Sequence, residues 1–161
     1  MKTRVRSMVK KPHSRRASAN ARGRVLPDDA CISCGKTMKE SRARLQYPVN
    51  GESITVPASS HLKCPNCGEV ILRFLEAKRL REDAIAIYRD KHDLLAAEEI
   101  RALRKRFALT QSGLARLLHL GTNTVSRWEA GRNVQTEAMD VLLRLLRDVP
   151  GNIRYLRERA A

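Results

Sequence analysis

The chain has 161 residues with 32 Lys/Arg against 17 Asp/Glu, a formal net charge of +15. That length allows one ordinary domain or two small ones, and the charge points to a polyanionic partner, most simply nucleic acid. No long apolar run or lipidation motif supports a membrane role.

Residues 1–28 read as a flexible basic arm, rich in Arg, Lys, Ser and Ala and without apolar periodicity. The first thirty residues hold nine Lys/Arg against two Asp, a surplus of +7, and the remainder carries +8. Such an arm can lie along DNA phosphates or serve only as a solvated tail. Arg15-Arg16 superficially suggests a twin-arginine export signal, but no hydrophobic stretch follows, so export is rejected.

Residues 29–68 read as a zinc-binding module. All four cysteines fall into two copies of one pattern, Cys31-Ile-Ser-Cys34-Gly35 and Cys64-Pro-Asn-Cys67-Gly68. Two Cys-x-x-Cys hooks can supply the four soft ligands of one tetrahedral zinc, and each following glycine can take the left-handed turn that aims amides at the sulfurs. The 29 residues between Cys34 and Cys64 exceed the usual spacing but leave room for a β ribbon. Disulfides would need an oxidising compartment, and no signal-peptide pattern opens the chain. A thioredoxin-like redox pair would need a βαβ context. Four thiolates close the coordination shell, so the zinc is expected to be structural, not catalytic. His61 is the nearest rival ligand and reads as a surface residue. Leu45, Tyr47 and Val49 alternate before Asn50-Gly51, and Ile54 and Val56 after it, which predicts a hairpin with a type I′ turn. Pro48 predicts an edge strand.

Residues 69–93 read as a helical connector, with Leu72, Leu75, Ala84, Ile87 and Tyr88 near one face. Residues 94–149 then read as an all-α helix-turn-helix domain for DNA binding and dimerisation. Ile100, Leu103 and Phe107 mark its first helix. Thr110, Thr122 and Thr136 are candidate caps for three more. The last of these helices carries Met139, Leu142, Leu143 and Leu146, a stripe that suits a dimer contact or the core. Pro150-Gly151 ends it, and residues 150–161 form a tail helix. The fold class is therefore α+β.

In Leu109–Gly131, small Ala115 lets the third helix cross the second closely, while Leu114, Leu118 and Val125 fill the space between. The third helix keeps a polar face of Asn123, Thr124, Ser126 and Arg127. Asn can bond adenine bidentately and Arg guanine, and four residues apart they share a face. Gln111 and Ser112 open the second helix, where a phosphate can be held, although Gln111 can also simply cap it. Arg132 is a further phosphate contact. Trp128 reads as core, and Glu129 as turned away from phosphate or paired with an arginine.

The pairing of Cys-x-x-Cys-Gly and Cys-x-x-Cys-Gly-Glu-Val with a charged helix, then Tyr88–Arg104, Arg127–Gln135 and Met139–Leu146, resembles the YgiT-type zinc finger/helix-turn-helix proteins, the MqsA family of antitoxins. The likeness runs from residue 31 to about 149. It implies a structural zinc module on Cys31, Cys34, Cys64 and Cys67 that binds a ribonuclease toxin. It also implies a carboxy-terminal domain that dimerises on operator DNA, reads bases with Asn123 and Arg127, and represses its own operon. The partners are then double-stranded operator DNA, the cognate toxin and a second copy of the chain. The location is cytoplasmic, with the nucleoid when bound to DNA. Two features depart from the family: the basic arm before the first cysteine pair, and His119 where members commonly carry glycine. The alternative function is a stand-alone helix-turn-helix regulator with a structural zinc module. An enzyme is not expected, since no His-Glu-x-x-His, phosphate-binding glycine loop or placeable Ser-His-Asp set is present.

Overall fold

The computed structural model describes residues 29–159, so the arm over 1–28 lies outside the described residues. Three strands come first: β1 (Lys39–Val49), β2 (Glu52–Lys63) and the short β3 (Val70–Ile71). The sheet order is β1-β2-β3, with β3 antiparallel to β2 through Leu62↔Ile71 and Lys63↔Val70. The β1–β2 turn is built as its residues require: Asn50 and Gly51 both have positive φ, 48° and 84°. Pro48 does sit on an edge strand. Along β2 the buried residues are Ile54 and Val56, then Ser59 and His61. The alternation slips by one at Pro57-Ala58, where two consecutive residues face out, the pattern of a β-bulge and a position that tolerates proline.

Six helices follow. α1 spans Phe74–Lys91. It begins later than the helical periodicity from Glu69 suggests, because Val70 and Ile71 return to the sheet as β3. Its buried residues are Leu80, Ala84, Ile85 and Arg89. Of the face expected from sequence only Ala84 is buried, and Leu75 and Ile87 are exposed. Then come α2 (Ala97–Arg106), α3 (Gln111–Leu117), α4 (Thr124–Glu129), α5 (Glu137–Asp148) and α6 (Asn152–Arg159).

Chain contacts divide the protein into two units. The first takes residues up to Tyr47 and Thr55–Leu80; the second takes Pro48–Ile54 and everything from Arg81. Within the second, Leu95, Ile100, Leu103, Leu114, Ala115, Val125, Trp128, Leu143 and Leu146 form one apolar core. Fully burying such side chains contributes about 1.5–3 kcal/mol for each large aliphatic one. Thr110 and Thr136 cap as expected, accepting from the amides of Gly113 at 2.9 Å and Met139 at 3.3 Å. Thr122 does not cap. α4 starts two residues later, with Asn123 at the N-cap position and its side chain outside the cap.

Candidate metal centre and nucleic-acid interface

Each cysteine pair sits in the same small turn. The Cys31 amide donates to the Lys36 carbonyl at 2.8 Å and the Gly35 amide to the Cys31 carbonyl at 2.8 Å. The second turn repeats this with Cys64 to Glu69 at 2.8 Å and Gly68 to Cys64 at 3.0 Å. Gly35 and Gly68 have φ of 75° and 76°, so both turns need the left-handed residue that follows each pair. Flanking backbone pairs match as well, Ala30 with Thr37 and Lys63 with Val70. Two identical knuckles therefore face each other.

Their four sulfurs lie within 4.8 Å of one another. Sγ of Cys31 is 3.5 Å from that of Cys67, and Sγ of Cys34 is 3.5 Å from that of Cys64. Zinc–sulfur bonds of about 2.3 Å in a tetrahedron set sulfurs about 3.8 Å apart, so the cluster has the right size for one such ion. Cys31 and Cys64 are buried, Cys34 and Cys67 exposed. The Cys67 amide, with that of Asn66, stabilises the Cys64 thiolate and brings it down to about 6. At Cys67 the Glu69 amide favours the thiolate. The adjoining Cys31 sulfur, burial and the remaining sulfurs outweigh it and push Cys67 up to about 12. Four sulfurs this close ionise together only around a cation. The donor set and its spacing can hold a metal ion, and four soft ligands suit zinc. His61 is not among the clustered ligands and is not a surface residue. It is 1% exposed, with Nδ1 2.8 Å from the Ser59 carbonyl.

The helix-turn-helix is α3, a tight turn and α4. Ala115, Leu114 and Val125 have no exposed surface, so the close crossing is present. The turn is made by His119 at φ 53°, a left-handed non-glycine residue. Among the predicted DNA contacts, Asn123, Arg127, Ser112 and Arg132 are exposed, and Thr124, Ser126 and Gln111 half-buried. The Ser126 hydroxyl donates to the Asn123 carbonyl at 2.9 Å, and the Ser112 hydroxyl lies 3.1 Å from that of Thr110. Gln111 donates its amide Nε2 to Glu129 at 2.8 Å.

Glu129 is the buried hub beneath this face. Arg104 binds it through Nε at 2.6 Å and Nη2 at 2.9 Å, and Arg101 stands 3.6 Å away. Burial pushes its carboxyl up, but the Arg104 hydrogen bond, then Gln111 and the two guanidinium charges, hold it below the ordinary carboxylate value. Arg104 also donates to the Leu109 carbonyl at 2.9 Å, tying α2 to α3. Trp128 is core, 3% exposed. Sequence patterns anticipate an arginine partner for Glu129 without naming it. Nothing local marks Arg89, whose Nη2 reaches the Trp128 carbonyl at 3.0 Å and that of Asn133 at 3.3 Å.

Fold and site together define an α+β protein with a four-cysteine cluster that could hold a metal ion, ahead of a helix-turn-helix unit. The chain belongs to the MqsA family: the model for MqsA, antitoxin component of bacterial toxin-antitoxin systems, matches residues 29–157. It is also similar to antitoxin HigA-2 of Vibrio cholerae serotype O1, with 31% identity over 64 residues. Those residues are 40% of this chain and 62% of that protein, so the chain spans less than two-thirds of that relative. Among the described residues, no helix is long and apolar enough to cross a membrane.

Proposed function

We propose that the protein is a zinc-containing, non-enzymatic antitoxin that neutralises a ribonuclease toxin and represses its own operon as a dimer on operator DNA. Cys31, Cys34, Cys64 and Cys67 hold one structural zinc, and the module they close offers the toxin its surface. Asn123 and Arg127 read bases in the major groove, with Thr124 and Ser126 beside them on α4. Gln111, Ser112 and Arg132 position the backbone. The protein works in the cytoplasm, at the nucleoid when DNA-bound.

The observation that carries the DNA reading is how the arginines of the helical unit divide. Arg101, Arg104, Arg144 and Arg147 are bound to carboxylates. Arg116, Arg127 and Arg132 are exposed and have no partner among the described residues. All three lie in or beside the helix-turn-helix, where free guanidinium groups suit phosphates and guanines.

Support for the dimer comes from α5. The stripe of Met139, Leu142, Leu143 and Leu146 is spent on the core. A second stripe, Val141, Leu145 and Val149 at four-residue spacing, is exposed by about half. An apolar row of this kind suits a self-complementary two-fold contact. Two recognition helices then fall about 34 Å apart, one turn of DNA.

The deciding experiment expresses the adjacent reading frame with and without this protein. Toxicity relieved by co-expression, together with co-purification of the two products, is expected. A harmless neighbour, with operator binding intact, would instead favour the stand-alone regulator.

A further inference from the structure

α4 is only six residues long, Thr124–Glu129. A helix of that length is not stable alone, so its direction is set by what grips its ends. Its amino end has no side-chain cap. Its carboxy end is gripped twice. The carbonyls of its last two residues, Trp128 and Glu129, accept from guanidinium groups on earlier helices, Arg89 of α1 at 3.0 Å and Arg101 of α2 at 2.8 Å. Helix ends leave such carbonyls short of donors, and a cation there also suits the helix dipole.

The two arginines differ. Arg101 is half exposed and also faces the Glu129 carboxylate at 3.6 Å. Arg89 is 4% exposed, and the same Nη2 that reaches Trp128 also reaches the Asn133 carbonyl at 3.3 Å. Those two carbonyls lie on either side of Gly131, whose φ of 59° turns the chain out of α4. One nitrogen therefore staples the turn at the end of the helix. Burial pulls the Arg89 pKa below the usual guanidinium value, and the charges of Glu98 and Asp140 offset part of that. An apolar side chain of similar length would fill the space without this desolvation. What the guanidinium adds is direction, a hold on two carbonyls from a fixed point. α1 is itself anchored there: Glu52 pairs with Lys91 and lies 2.8 Å from Nε2 of His92, and the Leu94 amide donates to the Arg89 carbonyl at 2.8 Å.

We infer that Arg89 is a positioning residue for base recognition: by holding the carboxy end of α4, it sets where Arg127 meets the groove. The inference rests on the reading of Asn123 and Arg127 as base contacts. Arg127 is next to Trp128, whose carbonyl is gripped, whereas Asn123 stands at the far end of the helix. Releasing the grip therefore swings Arg127 more than Asn123. A bidentate arginine–guanine pair depends on the placing of both nitrogens, so it suffers from a small tilt. Simple support of the fold would act on both contacts alike.

The test selects from a pool of random-sequence DNA duplexes with the full-length wild type, Arg89→Met, Arg127→Ala and Asn123→Ala. Thermal melts, and the emission of the sole tryptophan, Trp128, establish that each is folded. The two alanine variants identify the base position that each side chain reads. Arg89→Met is expected to lower discrimination about tenfold at the Arg127 position, the worth of one side chain–base pair, and to leave the Asn123 position within about twofold. If Arg89→Met does not fold, Arg89→Lys takes its place; it keeps the cation without the planar fork, and the same selective loss is expected in smaller size. Any other pattern in the folded variant, including equal loss at both positions or loss at neither, overturns the clamp and leaves the recognition reading standing. If Arg127→Ala changes no position, that reading falls and this inference with it.

Discussion

Arg127 differs from most arginines of its unit in having nothing to hold. Arg104 is spent on Glu129 and Arg144 on Asp140, at 2.6 Å in each case, whereas Arg127 projects from α4 into solvent. Asn123, one turn earlier, likewise keeps its side chain out of the helix cap. Removing Arg127 therefore costs the fold little. Arg127→Ala should leave the melting temperature unchanged while weakening operator binding by about 1–3 kcal/mol and relaxing base preference. Unchanged operator affinity in a gel-shift titration would sink the recognition assignment. Glu129 is the opposite case, a buried carboxylate whose value is structural. Glu129→Gln leaves Arg104 without its counter-charge and should destabilise the helical unit by about 3 kcal/mol in urea unfolding. The sign with pH follows from the direction of its shift. The folded carboxyl lies below its ordinary 4.5, so its contribution is complete above that value and is lost as pH falls through the lowered one. The acid limb of the stability curve should flatten in the variant. An unchanged limb would show that Glu129 is not the group that titrates.

At the scale of elements, the helix ends separate what sequence reveals from what it conceals. α1 to α4 all finish in the same way, with a left-handed residue at Asp93, Ala108, His119 and Gly131. In each, the next amide reaches five residues back: Leu94 to Arg89 and Leu109 to Arg104, then Leu120 to Ala115 and Arg132 to Arg127. This is the Schellman motif, which usually advertises itself by glycine. Only Gly131 does so here. The other three stops lack glycine; Leu109 and Leu120, which follow two of them, pack against the apolar core. The threonine caps at Thr110 and Thr136, the Asn50-Gly51 turn and the cysteine hooks were legible because each depends on residues within a few positions. Thr122 misleads for the complementary reason: its type fits a cap, but the turn delays the helix to Thr124. Alanine tolerates the left-handed region worst of the three non-glycine stops, since Asp and His are enriched there. Ala108→Gly should then stabilise the unit by about 1 kcal/mol, read as a rise in urea midpoint at constant slope. A fall would show that the unfolded-state entropy of glycine outweighs the relieved strain. The knuckles make a stricter demand, for two strands and a two-residue third form only a marginal sheet without a metal. Cys64→Ser should abolish zinc uptake and melt the first unit, while the helices beyond Arg81 keep their far-ultraviolet signal. Full metal occupancy in that variant would refute the ligand set.

Across the whole molecule, the readable features were those written in short spacings, and the missed ones join residues far apart in sequence. Gln111 to Glu129 and Arg89 to Trp128 span 18 and 39 positions. Leu95 to Asp140 spans 45. No periodicity encodes such pairs, so the family, the four-cysteine cluster and the α3–turn–α4 arrangement were legible in the sequence, whereas the Glu129 hub of the helical unit was not. Charge is the other property that belongs to the entire chain. Residues 1–28 contribute nine of its 32 Lys/Arg and lie outside the described residues. Counterion release ties the salt dependence of DNA binding to the number of phosphates neutralised, with a slope of about −0.9 per contact on a log–log plot. On the proposed reading, α4 and the residues flanking it contribute only a few such contacts. If the arm lies on DNA, deleting residues 1–28 should make that slope shallower by several contacts and weaken binding at low salt, without altering which operator bases are preferred. If the arm is a bystander, the two slopes will coincide. Fluorescence anisotropy across a salt series separates the outcomes, because Arg127→Ala should change base preference, whereas loss of the arm should change the slope and the low-salt affinity but not the preference.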